Sequence, residues 1–383
     1  MSDPALKTTC LTADHRARGA RMAPFAGYDM PVSFPMGVLK EHLWTREHAG
    51  VFDVSHMGPA FLDLVTPTGD AEADHRAVSA IVETLVSSDI AGLEPGRLRY
   101  TLLLNAEGGM EDDLMIGRPA EAQPTGRLYI VVNAATKDAD FAAIAAAAGG
   151  RARLTRADDR ALIAVQGPEA QEAVGAILPD AAALTFMSFA AMAFEGEQLL
   201  VARGGYTGED GFEILVPPAA VEAFMARLMA DERVAPIGLG ARDSLRLEAG
   251  LPLYGHDADQ TVSPIEAGLA FAVSKKRRKA ADFPGAARIL RELADGPARV
   301  RVGLRVLEGA PAREGAAIAD DAGTVVGVVT SGGFSPSLRA PIAMGFVAPS
   351  SAAPGTALSV IVRGKPQAAV VVALPFVPHR YRR

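Results

Sequence analysis

The sequence predicts an α+β protein that ends in a separate β domain. Helix-like and strand-like periodicities alternate through most of the chain, whereas from about residue 300 short apolar runs are separated by Gly and Pro. The second pattern is typical of a small barrel or sandwich. A chain of 383 residues exceeds the roughly 250–300 residues that one hydrophobic core serves. We therefore expect two or three domains, with the β domain starting near Gly296-Pro297.

Periodicity and turn residues locate the individual elements. Residues 38–48 carry apolar side chains at helical spacing, and residues 60–65 alternate as a half-buried strand does. Asn105 followed by two glycines indicates a hairpin. Residues 66–78 are expected to form a polar loop. The further predicted elements are helices at 138–148, 170–178, 222–231 and 238–250, and strands at 100–104, 114–116, 128–132, 161–165, 212–216, 300–306, 324–330, 343–347, 358–362 and 368–374.

Composition excludes several classes of protein. Apolar residues make up 49% and charged residues 22% of the chain, and no apolar run approaches the roughly 18 residues that span a bilayer. Residues 1–21 lack the apolar region of a secretory signal. Cys10 is the only cysteine, so no internal disulfide forms. A net charge of −7 disfavours nucleic acid. We expect a cytoplasmic protein with no membrane or nucleic-acid partner.

Two adjacent aspartates, Asp112 and Asp113, lie between the glycine turn and a strand. Because side chains alternate along a strand, one carboxylate is expected to face inward and the other outward. From spacing alone, a simple turn-ending pair is the favoured interpretation. The alternative is that one of them is buried beside a reacting nitrogen, where a desolvated carboxylate can stabilise a developing cation or relay a proton.

The segment 204–213, GGYTGEDGFE, is the most glycine-rich motif. It fits neither a Walker loop nor the dinucleotide fingerprint, and it can be a plain hairpin turn. Its glycines would also let the backbone approach a flat ligand closely. Glu213, which opens the next strand, could accept the two parallel N–H bonds that a 2-amino-4-oxo pterin ring offers.

Basic side chains form two further candidate sites. Arg242 and Arg246 lie four residues apart on a predicted helix, so they share one face. Such arginines usually lie at surfaces or domain interfaces, but in a cleft they bind carboxylate-bearing ligands. The run KKRRK at 275–279 is ordinarily a solvated face, and its alternative role is a docking patch for an acidic protein.

Histidines offer no metal-binding pattern. Neither HExxH nor a similar spacing occurs, and we predict no metal site. His56, in Ser55-His56-Met57, could act as a base, but no Ser–His–Asp spacing accompanies it, so a structural role is favoured.

Together, and in this order, these segments resemble the T-protein (aminomethyltransferase) family. The resemblance runs from about residue 20 to the C-terminus, and its motifs are long and unusual in composition. The matching stretches are PFAGYDMP (24–31), EHLWTREHAGVFDVSHMG (41–58), NAEGGMEDD (105–113), VVNAATKD (131–138), VQGP (165–168), GGYTGEDGFE (204–213), GLGARDSLRLEAGLPLYG (238–255), TSGGFSPSL (330–338) and VRGKPQAAVVVALPFVP (362–378).

This resemblance implies a three-domain, T-protein-like α+β fold with a ferredoxin-like part and a C-terminal β barrel or jelly-roll. We expect a split N-terminal α/β folate-binding domain, a ferredoxin-like domain and a C-terminal domain, which comprise residues 1–57 with 150–250, residues 58–149 with 251–296, and residues 297–383, respectively.

It also implies an activity. The family transfers the methylene carbon of an aminomethyl group, held on the lipoyl arm of the H-protein, to tetrahydrofolate. The products are 5,10-methylenetetrahydrofolate, ammonia and the reduced lipoyl carrier. Tetrahydrofolate is the expected co-substrate, and the lipoylated H-protein of the glycine cleavage system is the expected partner.

Site residues follow by matching positions. The second aspartate of the family's pair corresponds to Asp113, which we expect to orient the folate nitrogens and to stabilise positive charge on the transferring carbon. The expected folate pocket contains Met57, Tyr100, Val132, Asn133, Tyr206, Glu213, Arg242 and Tyr381.

Two alternative functions share this fold. One is a folate-dependent demethylase acting on another methylamine donor. The other is a non-enzymatic folate-binding factor for iron–sulfur cluster assembly, which typically depends on a cysteine motif, whereas Cys10 stands alone near the terminus. The opening TTCLTADHRARGARM also lacks the tyrosine common in the family, and Tyr28 stands where tryptophan is frequent.

Overall fold

A computed structural model describes residues 5–122 and 124–382. Residues 1–4 at the start of the first predicted domain, residue 123 of the second and residue 383 at the end of the third lie outside the described residues. The helices are α1 (Thr12–Ala17), α2 (Val38–Glu47), α3 (Ala71–Val82), α4 (Lys137–Ala148), α5 (Ala170–Gly175), α6 (Pro218–Met229), α7 (Leu239–Glu248), α8 (Lys275–Ala280) and α9 (Ala286–Asp295), with short 3₁₀ helices at Pro179–Ala183, Ala270–Ala272 and Pro349–Ser351. Within the described residues, no helix is both long and apolar enough to cross a membrane.

The strands fall into three groups. A small hairpin joins β1 (Arg21–Phe25) and β2 (Tyr28–Ser33). One sheet contains β3 (Ala49–Asp53), β4 (Gly58–Leu64), β5 (Arg97–Leu104), β6 (Met110–Arg118), β7 (Arg127–Val132), β8 (Ala152–Arg156), β9 (Ala161–Gln166), β10 (Ser188–Phe194), β11 (Glu197–Arg203), β12 (Gly211–Val216) and β13 (Val234–Pro236). A closed barrel contains β14 (Val300–Val306), β15 (Ala317–Ala319), β16 (Val325–Ser335), β17 (Ala340–Val347), β18 (Ala357–Val362) and β19 (Lys365–Val372).

The large sheet consists of two halves with the same connectivity. Its order is β13-β3-β9-β12-β11-β10-β5-β6-β7-β4-β8. In each half a strand leads through a helix into three antiparallel strands, and a second helix then leads to an edge strand. The halves join where Ser188 of β10 pairs with Arg97 of β5. Strand β3 inserts between β9 and β13, so the N-terminal segment completes the half that lies later in the chain.

Strand β8 does not lie in the domain to which the predicted division assigns it. The predicted boundary at residue 150 assigns it to the N-terminal part, but β8 pairs with β4 at the far edge of the other half. Leu154 packs against the core that β4 shares with α3 and α4. Because this core needs a strand beyond β4 to cover it, the chain changes halves only after β8.

The prediction of a polar loop at residues 66–78 is wrong, because helix α3 begins within this range at Ala71. The Asp70 side chain accepts hydrogen bonds from the backbone N–H groups of Glu72 and Ala73 and so caps the helix. Val78 and Ile81 are buried in the core. The prediction failed because it considered only polarity, and the first turn of α3 carries the charged residues Glu72 and Asp74.

The C-terminal part confirms the predicted β domain, and the α+β class is confirmed with it. Its strands close in the order β14-β17-β16-β15-β18-β19 around a core that includes Leu304, Ile318 and Val360. The barrel packs on α7, where Leu247 contacts Ile342 and Met344. Helix α7 therefore has the sheet on one side and the barrel on the other.

A buried ionic network joins α2, α7, the glycine-rich loop and the barrel. Arg46 of α2 donates to Glu248 of α7 at 2.9 Å and to Glu209 of the loop at 2.7 Å. Glu248 also accepts from Ser335 at 2.5 Å and from Ser337 at 2.7 Å, both after α7 in the barrel part of the chain. These contacts fix the elements that surround the candidate site.

Candidate functional site

Asp113 is held by two donors from neighbouring strands. Tyr100 of β5 donates its hydroxyl to Oδ2 at 2.9 Å, and Asn133, directly after β7, donates its amide Nδ2 to Oδ1 at 2.7 Å. Strand alternation has the predicted effect: Asp112 is fully buried, whereas Asp113 points to the opposite face and is half-buried. Both carboxylate oxygens are therefore oriented before any ligand arrives.

The environment of Asp113 disfavours its charge. Burial and, after it, the Asp112 carboxyl raise the pKa of Asp113 to about 7, although the hydrogen bonds from Tyr100 and Asn133 oppose the shift. The carboxyl thus changes protonation near neutral pH. A group perturbed by desolvation and by specific partners is a candidate functional group.

The glycine-rich loop between β11 and β12 brings Tyr206 to the site. Gly208 has φ +80°, a conformation that L side chains rarely adopt, and a Cβ there would lie 2.9 Å from Ala249 Cβ. Tyr206 donates its hydroxyl to the carbonyl of Pro252. Burial raises the pKa of the Tyr206 phenol, and the charges of Arg246, Asp113 and Arg242 all act on it. The Tyr206 phenol is therefore close enough to both Asp113 and Arg242 for their charges to act on it.

Glu213 and Arg242 form a second charged group across the site. The Arg242 guanidinium lies over the Tyr206 ring, with Cζ 4.9 Å from the centroid. Burial raises the pKa of Glu213 and lowers that of Arg242, and each charge opposes the shift of the other. Among the described residues, the buried Nη1 of Arg242 has no hydrogen-bond partner. This donor and the Glu213 carboxylate can both contact a ligand.

The remaining predicted pocket residues lie at different depths. Met57 is half-buried, and its carbonyl accepts from Lys137 Nζ at 3.3 Å. The Val132 side chain is fully buried in the core between the sheet and α4. Tyr381 stacks on Phe186, with ring centroids 4.4 Å apart. The neighbouring Arg380 backbone N–H donates to the Gly208 carbonyl at 2.8 Å, so this part of the C-terminal tail lies beside the glycine-rich loop.

Sequence reasoning missed Phe271 as a site residue. Its ring stacks on Tyr100 with centroids 5.9 Å apart, and the side chain is 71% exposed. Phe271 lies in the 3₁₀ helix just before α8. No sequence pattern marks it, because a phenylalanine in an apolar stretch normally predicts a core position.

His56 fits the structural role that was favoured. It is buried against the edges of Phe25 and Tyr28. Desolvation lowers its pKa to about 4, so the imidazole is neutral at physiological pH. Within the described chain, its Nδ1 has no hydrogen-bond partner.

The basic run at 275–279 forms most of α8, and two of its arginines bind within the fold. Arg277 is buried, pairs with Asp282 at 3.0 Å and donates to the carbonyl of Glu83. Arg278 donates to the carbonyls of Val273 and Ala270. The exposed basic side chains of the run are therefore Lys275, Lys276 and Lys279.

Comparisons with known proteins agree with this architecture. The family model described as "GCVT N-terminal domain" matches residues 11–277, and the one described as "Glycine cleavage T-protein C-terminal barrel domain" matches residues 299–378. The chain belongs to the glycine cleavage T-protein family. The first T-protein match ends within helix α8 and the second covers the closed barrel, so together they span nearly all of the described fold.

Known members of the T-protein family align with this chain over nearly their whole length. An aminomethyltransferase, named as mitochondrial, from Gallus gallus is 46% identical, and the alignment covers 98% of this chain and 94% of the relative. A probable mitochondrial aminomethyltransferase from Schizosaccharomyces pombe is 42% identical with the same coverage. The crystal structure of glycine cleavage system aminomethyltransferase T from Bartonella henselae has a TM-score of 0.88 and 42% identity, covering 99% of this chain and 100% of that chain.

These T-protein relatives lend no support to the two alternative functions, since each is named an aminomethyltransferase. Two relatives are named as mitochondrial, and the expected cytoplasmic location stays a prediction.

Proposed function

We propose that this chain is the aminomethyltransferase of the glycine cleavage system and that it uses tetrahydrofolate and the lipoylated H-protein as its substrates. Two C–N bonds to the folate form as the carbon–sulfur and carbon–nitrogen bonds of the aminomethyl group break. The two protons released by the folate nitrogens leave with the lipoyl thiol and ammonia. The observation that carries the proposal is the Asp113 carboxylate, oriented by Tyr100 and Asn133, within a full-length T-protein fold.

The residues at the site fit a reduced pterin. Glu213 offers a carboxylate whose burial raises its pKa, and an amino-pterin edge presents the parallel N–H donors that would favour its charged form. Arg242 offers a buried Nη1 donor that has no partner in the described residues. A ligand carbonyl or carboxylate oxygen would satisfy this donor, since leaving a buried charged donor unpaired is costly.

Asp113 has a positioning and electrostatic role in this proposal. The transfer needs a folate nitrogen placed against the methylene carbon as ammonia leaves, and correct placement alone contributes several kcal/mol to the barrier reduction. An ionised Asp113 accepts hydrogen bonds and stabilises the positive charge that develops nearby. Tyr100 and Asn133 keep both of its oxygens in place during this change. No covalent attack by Asp113 is required.

One assay decides between the proposed donor and any other. Purified protein is mixed with aminomethyl-loaded H-protein and tetrahydrofolate, and formation of 5,10-methylenetetrahydrofolate is measured together with ammonia. Equal amounts of both products support the proposal. Measurable folate binding with no turnover would keep the pocket but reassign the donor, and dimethylglycine and related amines would be tested next.

Glu213→Gln is expected to weaken tetrahydrofolate binding by about 10–100-fold, because a charge-assisted hydrogen bond contributes roughly 1.5–3 kcal/mol. Glutamine keeps the size of the side chain but offers one acceptor and one donor to a ligand edge that carries donors. Isothermal titration calorimetry of the variant measures the effect. Glu232→Gln, at an exposed position, is the matched control. An unchanged dissociation constant for tetrahydrofolate in Glu213→Gln would show that Glu213 does not bind the folate.

Reversing the charge of Lys275 and Lys279 together is expected to raise the KM for H-protein about three- to tenfold at low salt, since exposed charge pairs contribute about 0.2–1 kcal/mol each. The KM for tetrahydrofolate should stay constant. Because salt screens exposed charges, the difference should shrink as ionic strength rises. Lys40→Glu with Lys365→Glu, both exposed, is the control pair. Equal H-protein kinetics for the two double variants would exclude α8 as a docking surface.

A further inference from the structure

The last described residues of the chain lie against the end of helix α7. After β19 the chain leaves the barrel, and residues 377–382, which we call the C-terminal strap, follow an irregular path. The Val377 N–H donates to the Glu248 carbonyl at 3.0 Å, and His379 Nε2 donates to the Ala249 carbonyl at 2.8 Å. The strap therefore connects the barrel to the C-terminal end of α7 by a second route.

The strap also binds the glycine-rich loop through its backbone. The Arg380 N–H donates to the Gly208 carbonyl at 2.8 Å. A Cβ at Gly208 would lie 2.9 Å from Ala249 Cβ and 3.4 Å from His379 Cδ2. The loop backbone is thus packed between α7 and the strap, in a space that suits glycine.

The end of the strap is anchored to other segments of the sheet part of the molecule. Tyr381 stacks on Phe186 with ring centroids 4.4 Å apart, and the Phe186 N–H donates to the Arg382 carbonyl at 3.1 Å. The Arg382 side chain donates to the Gln171 side chain of α5. Because contacts on both sides of Arg380 hold the strap, its N–H is presented to the loop in a fixed position.

The glycine-rich loop in turn supports a side chain that faces the proposed ligand. Tyr206, two residues before Gly208, donates its hydroxyl to the Pro252 carbonyl, and its ring lies 4.9 Å from Cζ of Arg242. Arg242 Nη1 is buried and has no hydrogen-bond partner among the described residues. A displacement of Gly208 would move Tyr206 and so remove the support of the Arg242 guanidinium.

We propose that Arg380 is a positioning residue for tetrahydrofolate binding: its backbone N–H fixes the Gly208 carbonyl, and the loop then holds Tyr206 against Arg242. The inference rests on the proposed function, because the ligand that Arg242 contacts there is the folate. Since the strap continues from β19, the barrel contributes to the folate pocket through its own chain as well as through its packing on α7.

The expected signature is a loss of folate affinity without a loss of chemistry. Asp113 takes its orientation from Tyr100 and Asn133, so its role does not depend on the loop. When a loop is competent to bind for only a fraction of the time, the apparent dissociation constant rises by the inverse of that fraction, whereas saturating ligand restores the competent arrangement. A weakened strap should therefore raise the KM for tetrahydrofolate and leave kcat unchanged.

Two substitutions at Arg380 separate its backbone from its side chain. Arg380→Pro removes the N–H donor, whereas Arg380→Ala keeps it. The Arg380 side chain is half-exposed and lies 3.6 Å from Glu209, and exposed ion pairs contribute little. In Arg380→Pro we expect the dissociation constant and the KM for tetrahydrofolate to rise roughly tenfold, with kcat within about twofold of the wild-type value.

Arg380→Ala is the matched control and should bind tetrahydrofolate within about twofold of the wild-type protein. Isothermal titration calorimetry gives the dissociation constants, and the glycine cleavage assay gives KM and kcat. Wild-type affinity in Arg380→Pro would overturn the inference. Equal weakening in both variants would also overturn it, because the effect would then come from the side chain. A lower kcat with an unchanged KM in Arg380→Pro would show a different role.

Hydrogen exchange of the wild-type protein tests the same inference without a substitution. If the docked strap favours folate binding, bound folate must stabilise the docked strap by the same factor. Saturating tetrahydrofolate should therefore slow exchange of the Arg380 amide roughly tenfold. Residues 320–324, in the turn between β15 and β16, should exchange equally with and without folate. An unchanged rate at Arg380 with folate bound would overturn the inference, whereas wild-type protein that binds no tetrahydrofolate would reject the proposed function and this inference with it.

Discussion

Asp113→Asn is expected to lower the turnover of 5,10-methylenetetrahydrofolate formation by about 10²–10³-fold, the usual cost of removing one preorganised electrostatic contact. Asparagine keeps the size of the side chain and can still bond Tyr100 or Asn133, so the site should stay folded. What it loses is the negative charge. Tetrahydrofolate affinity should change far less than kcat, because the variant removes an interaction that strengthens in the transition state.

The pH profile of the wild-type enzyme tests the same assignment. Burial raises the pKa of Asp113 to about 7, and the ionised form is the active one. Turnover should therefore rise with pH through an acid limb near pH 7 and level off above it. The limb should be absent from the residual activity of Asp113→Asn. Asp159→Asn, at an exposed turn, should reproduce the wild-type profile. Full turnover in Asp113→Asn would remove Asp113 from the mechanism.

Glu248→Ala should lower the free energy of unfolding by about 3–5 kcal/mol, the cost of leaving a buried charge without its partner. Glu248 is fully buried and accepts from Arg46 at 2.9 Å and from Ser335 at 2.5 Å. Without the carboxylate, the Arg46 guanidinium keeps Glu209 and the Leu245 carbonyl but loses its ion pair with α7. Because Glu248 also joins α7 to the barrel, the barrel should separate from the sheet more readily than in the wild-type protein.

Chemical and thermal unfolding measure this loss of stability. The pKa of Glu248 determines how the loss depends on pH. Burial alone would raise the pKa of Glu248, but the His42 hydrogen bond and charge, with Ser335 and Arg46, hold it at about 2. The stabilisation is fully present above the ordinary carboxyl value of 4.5 and is lost as pH falls through about 2. The difference between wild-type protein and Glu248→Ala should therefore shrink in acid. Glu222→Ala, at an exposed position on α6, should stay within about 0.5 kcal/mol. A similarly small effect at Glu248 would show that the network does not stabilise the fold.

Local sequence patterns predicted most strands and helices well. The strand at Val300–Val306 begins and ends where periodicity places it, and α4 begins one residue before its predicted start. The failure at α3 has a local cause, since its capping Asp70 and charged first turn resemble a loop when only polarity is considered. Strand β8 was assigned to the wrong side of a boundary because pairing partners are distant in sequence: Leu62 of β4 opposes Leu154 of β8.

The sequence by itself determined the α+β class, the barrel, the inward and outward alternation of Asp112 and Asp113, and the family resemblance that selected the pocket residues. Each of these depends on local periodicity or on contiguous motifs. Only the tertiary structure decided that Asn133 bridges the two aspartates and that Arg277 is buried. Burial, hydrogen bonding and the resulting pKa shifts depend on which residues surround a group, and those neighbours come from strands and helices far apart in the chain.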